Sequence, residues 1–173
     1  SGDLTFREPP DFENPTDSDT DNTYLVQVTV TDPGAGLVYA TLPYATGFES
    51  GSLDASWLTA STTEGRIQVA TINGPHSGSY HLLMDDTVNG SLYSTNQADL
   101  HLDLSGEGQV DLDFWWKEFG DETHSQDGVY FSDNGGASFV KVFDLNGGSY
   151  TNNTWQNFTL DVDALAGSAG LSL

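Results

Sequence analysis

The chain has no cysteine, one methionine and only 4 Lys+Arg among its 173 residues. Without thiols there can be no disulfide staple, iron–sulfur cluster, thiolate zinc site or cysteine nucleophile. The few basic residues face 26 Asp+Glu, leaving a formal net charge of -22. Such a field repels phosphate backbones and anionic lipid, so nucleic acid and membrane surfaces are disfavoured as partners. No run of about 18 apolar residues occurs, so no segment reads as a membrane-spanning helix. The opening "SGDLTF" lacks the basic and apolar stretches of a signal peptide, so any leader is expected to lie elsewhere or to have been removed. Helical apolar spacing is nearly absent, as are the G-x-S-x-G and H-E-x-x-H motifs of hydrolases and metalloproteases.

What is present is alternation. Hydrophobic residues make up 36% and aromatics 12%, enough to build a core rather than a disordered chain. "TYLVQVTVTD" sets Tyr24, Val26, Val28 and Val30 on one face, and "QVDLDFWW" alternates Val110, Leu112, Phe114 and Trp116 with Asp111, Asp113 and Trp115. "ADLHLDLS", "GRIQVATI", "GSYHLLMD", "DGVYFSD", "SFVKVFDL" and "WQNFTLDVDAL" read as further strands. Between them lie Gly-, Asn-, Asp- and Ser-rich turns such as "INGPHSG", "LSGEG" and "SDNGG". Short strands with regular turn signals predict an all-β protein, an antiparallel two-sheet β-sandwich of the jelly-roll type. Residues 1–45, acidic and proline-bearing with a single strand, read as an N-terminal extension. Residues 46–173 read as the sandwich.

Two resemblances refine this. "PDFENPTDSDTDNTYLVQVTVTD", within residues 10–32, resembles the closing part of a bacterial cadherin-like repeat, whose acidic loop serves Ca²⁺; the matching positions here are Asp17, Asp19, Asp21, Asn22 and Asp32. Residues 47–173, through "FESGSLDASW", "SGSYHLLMDD" and "DGVYFSDNGGASF", resemble MAM-like and reelin-like jelly rolls (the concanavalin A-like type) of cell-surface and adhesion proteins. "SDNGGASF" is similar to the Asp-box hairpin, with Asn134 where aspartate is usual. Domains of this type end on a further acidic strand, whereas this chain stops at "DVDALAGSAGLSL". The resemblance therefore implies a sandwich lacking its last strand, with a supernumerary one in front.

That asymmetry sets the leading functional expectation. An open sandwich groove can be filled by a strand from the next subunit, and head-to-tail donation grows into a filament. Tyr24, Val26, Val28 and Val30 form the expected donor face. The expected partners are copies of the chain itself, with Ca²⁺ as cofactor at Asp17, Asp19 and Asp21. Alternating carboxylates supply hard oxygen ligands there, although Asn22 and Val28 rule out an EF-hand. A second cation set implied by the jelly-roll resemblance is Glu49, Asp85 and Asp86.

The alternative is a carbohydrate-binding or cell-adhesion module of a larger secreted protein. Its partners would be glycans or neighbouring cells, with Trp57 and Trp115 as stacking platforms beside Tyr93 and Tyr150. Catalysis is not expected. Glu118 with Glu122, or Asp121 with Asp127, could face across a sugar as glycosidase carboxylates do, but any acidic β protein offers such pairs. The histidines are scattered, with His81 and His101 expected on outward strand faces. Sequons at Asn89, Asn152 and Asn157 are the kind chance supplies. The whole reads as a non-enzymatic structural or adhesive protein, extracellular or on a prokaryotic cell surface.

Overall fold

The computed structural model describes residues 36–62, 64–88, 94–120, 124–145 and 150–172, all within one compact unit, Gly36–Leu173. Ten strands and one short helix follow in order: β1 (Ala40–Thr41), β2 (Trp57–Ser61), β3 (Gly65–Ala70), β4 (His81–Asp86), β5 (Asn96–Leu100), β6 (Leu102–Asp103), β7 (Asp111–Trp116), β8 (Gly128–Phe131), β9 (Val140–Asp144), β10 (Gln156–Asp161) and α1 (Val162–Ala169). Strands cover 38% of the described residues, which makes the protein mostly β. They form five two-stranded ladders. Four are antiparallel (β2–β5, β3–β4, β7–β10, β8–β9), and the short β1–β6 pair is parallel.

Alternation is cleanest in β7 and β10, which pair from Asp111↔Asp161 to Trp116↔Gln156. Successive side chains on a strand point to opposite faces. The register therefore puts Leu112, Phe114 and Trp116 with Leu160 and Phe158 on the inner face. There Phe158 stacks on Phe114 (5.5 Å between centroids) and meets Phe143 of β9 (5.2 Å) and Tyr150 (5.7 Å) edge-on. Trp116 sits edge-on to Tyr150 at 4.9 Å. Such pairs add about 0.5–1.5 kcal/mol each beyond the area they bury.

Helix α1 caps the far end of this layer. Asp161 closes β10 and accepts a hydrogen bond from Ala164 N (2.8 Å), so it is the N-cap; Gly170, at φ 74°, closes the C-terminus. Val162 and Ala166, one turn apart, are the buried helix positions, and the helix lies against β7, β9 and β10. Val162 N donates to Val110 O (2.9 Å), and Val110 N donates to the Asp163 carboxylate (2.6 Å). "WQNFTLDVDAL" is thus not one strand; it changes to helix at Asp161, because the aspartate offers the helix start a cap and the Ala/Gly-rich run beyond has no β-branched residue after Val162 to sustain a strand.

Two further expectations are corrected. "ADLHLDLS" breaks at His101 into β5 and β6. His101 N donates to Ser56 O while its carbonyl accepts from Ala40 N (both 2.9 Å), so this residue passes the chain from one partner strand to another. His101 and His81 are then buried, each 8% exposed, rather than outward-facing. The hairpin after β8 is organised by Asn134. Its Oδ1 accepts from Ser132 Oγ (2.9 Å) and Ser138 N (3.0 Å), and its Nδ2 donates to Ser138 Oγ (2.7 Å). Gly135 and Gly136 take left-handed φ of 68° and 86° beside it.

Candidate functional site

The doubled tryptophan of "DFWWK" must send one ring to each face of β7. Trp116 goes inward to Tyr150, while Trp115 stands outward and is 46% exposed. His76 lies against it, ring centroids 3.8 Å apart and 17° from parallel. His76 belongs to the turn after β3, where consecutive left-handed residues, Asn73 (φ 62°) and Gly74 (φ 69°), reverse the chain.

That turn is clamped from below. Lys117, the residue after β7, donates from Nζ to the carbonyls of Asn73 and Gly74 (3.0 Å to the latter). Trp155 Nε1 donates to the same Gly74 carbonyl at 3.0 Å. The Lys117 ammonium also lies 4.9 Å from the Trp155 ring and 5.5 Å from Phe119, a cation–π arrangement that offsets desolvation of the charge. His81 meets Trp155 edge-on at 5.9 Å. Burial first, and the Lys117 charge second, hold the His81 imidazole below its ordinary pKa.

A polar row continues from Trp115 across the outer face. Asn157 lies opposite Trp115 and Thr159 opposite Asp113. Asn157 Nδ2 donates to Asp113 Oδ1 (3.1 Å) and to Phe114 O (3.4 Å), and Thr159 Oγ1 donates to Asp113 Oδ2 (2.8 Å). An exposed indole next to an ordered row of short polar side chains can take the C–H face of a sugar ring on the aromatic and its hydroxyls on the row.

The other expected residues are placed elsewhere. Trp57 is half-buried and its Nε1 donates to Tyr44 OH (2.7 Å), which donates to Asp54 (2.8 Å). Burial leads in raising the Tyr44 phenol, and hydrogen bonds from Ser56 hold Asp54 low. Glu49 accepts from the backbone of Ser79 and Tyr80 (3.0 Å each), which fastens its loop to the start of β4. Asp85 faces Arg66 in the β3–β4 register and takes its guanidinium in a two-pronged pair, Nε at 2.8 Å. Asp86 ends β4, exposed, opposite Gly65. Glu49, Asp85 and Asp86 therefore do not converge, and among the described residues no three His, Asp or Glu side chains gather closely enough to hold a metal ion. Asp17, Asp19, Asp21, Tyr24, Val26, Val28 and Val30 lie outside the described residues, as do Asp121 and Glu122 of the carboxylate pairs. Asp127 accepts from His124 N (3.0 Å), a loop-ordering contact.

His76, Lys117, Trp155, Asp113, Asn157 and Thr159 were not singled out as site residues by sequence reasoning. Alternation in "WQNFTLD" does mark Asn157 and Thr159 as sharing a face. No sequence signal brings His76 to Trp115, because that contact depends on how the β3–β4 ladder is set against β7. Comparison of the chain with family models, with curated proteins and with solved structures gives no match.

Proposed function

We propose that this chain is a non-enzymatic carbohydrate-binding and adhesive module of an extracellular surface protein, built on a two-sheet sandwich of the jelly-roll type. The carrying observation is the outward Trp115 ring, 46% exposed, stacked on His76 and flanked by Asp113, Asn157 and Thr159. Leaving nearly half of a large aromatic in water forgoes part of the roughly 1.5–3 kcal/mol that full burial of a large apolar side chain supplies. The turn that carries His76 against the ring is held at Gly74 by Lys117 and Trp155. A rigid aromatic loses little conformational entropy on binding, which suits a stacking platform. The leading expectation from the sequence, strand donation between copies, depends on residues 24–32, which lie outside the described residues.

Screening the chain against an array of immobilised glycans tests this reading. At least one glycan class should bind, and Trp115→Ala should weaken it by about tenfold or more, since losing one stacked ring removes on the order of 1.4 kcal/mol. Trp57→Phe, away from the face, should bind like the parent. A parent that binds no glycan, or a Trp115→Ala variant that binds as well as the parent, ends the proposal.

A further inference from the structure

The row beside Trp115 has a direction to its hydrogen bonding. The Asp113 carboxylate can only accept. The amide nitrogen of Asn157 is turned inward, to Asp113 Oδ1 (3.1 Å) and Phe114 O (3.4 Å). Thr159 has a single hydroxyl hydrogen, and it goes to Asp113 Oδ2 (2.8 Å). The carboxylate fixes the orientation of the amide too, because only the nitrogen end can donate to it.

The donors of the three side chains are therefore turned inward within the row. What faces solvent is acceptors: the Asn157 Oδ1, the hydroxyl oxygen of Thr159 and the remaining lone pairs of Asp113. The Trp115 ring adds a negative π face to the same surface, and its indole N–H is a donor that lies outside the three-residue row. Lys117, the cation that follows β7, is engaged by the carbonyls of Asn73 and Gly74 and by two rings. Around all of this the chain carries a net charge of -22.

We infer that this face selects a glycan bearing free ammonium groups, that is, amino-sugar units without N-acetylation, over neutral and acidic glycans. The inference rests on the carbohydrate reading above and adds the ligand class. An ammonium brings three donors and no acceptor, so it satisfies an acceptor-only row without setting acceptor against acceptor. Its bonds to Asp113 join opposite formal charges, adding Coulomb attraction to the charge assistance that any hydroxyl donor receives from a carboxylate. It is also drawn to the indole face, and the acidic chain raises its local concentration. The carboxylate of a uronic acid brings no donor to the row and is repelled by Asp113 and by the acidic chain.

Calorimetric titration of the full chain with glucosamine, N-acetylglucosamine and glucuronic acid oligosaccharides of equal length, at a pH where the amine is charged, tests the inference. The glucosamine oligomer should bind about tenfold tighter than its N-acetylated counterpart, one charge-assisted bond being worth on the order of 1.4 kcal/mol. Asp113→Asn should weaken the glucosamine oligomer until it binds no tighter than the N-acetylated one, and an unchanged urea midpoint checks that the variant remains folded. Trp115→Ala should lose both. Equal or tighter binding of the neutral oligomer overturns the ammonium preference and leaves the carbohydrate reading standing. Binding of none of the three, together with a blank glycan array, removes both. Glucosamine binding that survives Trp115→Ala at full strength is diffuse attraction to an acidic chain, and the inference then falls.

Discussion

A proton added to His81 would put a second positive charge near Lys117, on a side chain already withdrawn from water and set against Trp155. Burial, then Lys117, keeps the folded-state pKa below the ordinary 6.5. In the unfolded chain the imidazole takes its proton near that ordinary value. Below it the unfolded state binds more protons than the native state, so acid removes stability and neutral pH restores it. Urea midpoints should therefore fall as pH drops below 6.5, and His81→Gln should flatten that part of the profile relative to the parent. Parallel profiles for the two chains would show that His81 is not the titrating group. Trp115 shows the other side of residue-scale chemistry: the same residue type as Trp116, one position away, it faces the opposite environment because of strand parity.

At the scale of elements, α1 carries the clearest local code. Asp161 caps it, Asp163 sits in the first turn where the helix dipole favours an acid, and Gly170 ends it in the left-handed region. These signals were present in "LDVDALAGSAG", yet the alternation of the preceding "WQNFTLD" ran the strand reading through them. Asp161→Ala should cost about 1 kcal/mol, the usual value of a lost N-cap, visible as a lower urea midpoint with an unchanged slope. An unchanged midpoint would mean that the cap is replaced by water without loss. Strands fared better than boundaries. Gly65–Ala70, His81–Asp86 and Gly128–Phe131 lie where the sequence pattern placed strands, while the break at His101 arises from its bonds to Ser56 and Ala40, partners distant in the chain.

Over the whole molecule, the residues of the proposed binding face fall between Asn73 and Thr159, inside the compact unit Gly36–Leu173. Deleting residues 1–32 should therefore leave glycan binding unchanged. Loss of binding in the shortened chain would move the site away from the Trp115 face. The same pair of chains addresses the assembly expectation. If residues 24–32 act as a donor strand, electron microscopy shows regular filaments for the full chain and dispersed particles for the shortened one. If Asp17, Asp19 and Asp21 hold Ca²⁺, a chelator lowers the melting temperature of the full chain alone. Residues 40–44 belong with the larger unit and not with the extension, since β1 pairs with β6 and Tyr44 reaches Trp57 and Asp54.

Composition and period-two patterning determined that the chain is mostly β, acidic and free of thiol chemistry, because charge, cysteine count and side-chain alternation are local properties. Alternation also separated Trp115 from Trp116. Only the tertiary structure decided that His76 lies on Trp115, that Lys117 is held by turn carbonyls, and that Asp113, Asn157 and Thr159 are hydrogen-bonded into one row. Each of these depends on which strands become neighbours and in what register. For β7, β9 and β10 the aromatic layer around Phe158 holds the neighbours together, with Phe114, Phe143 and Tyr150 as its partners.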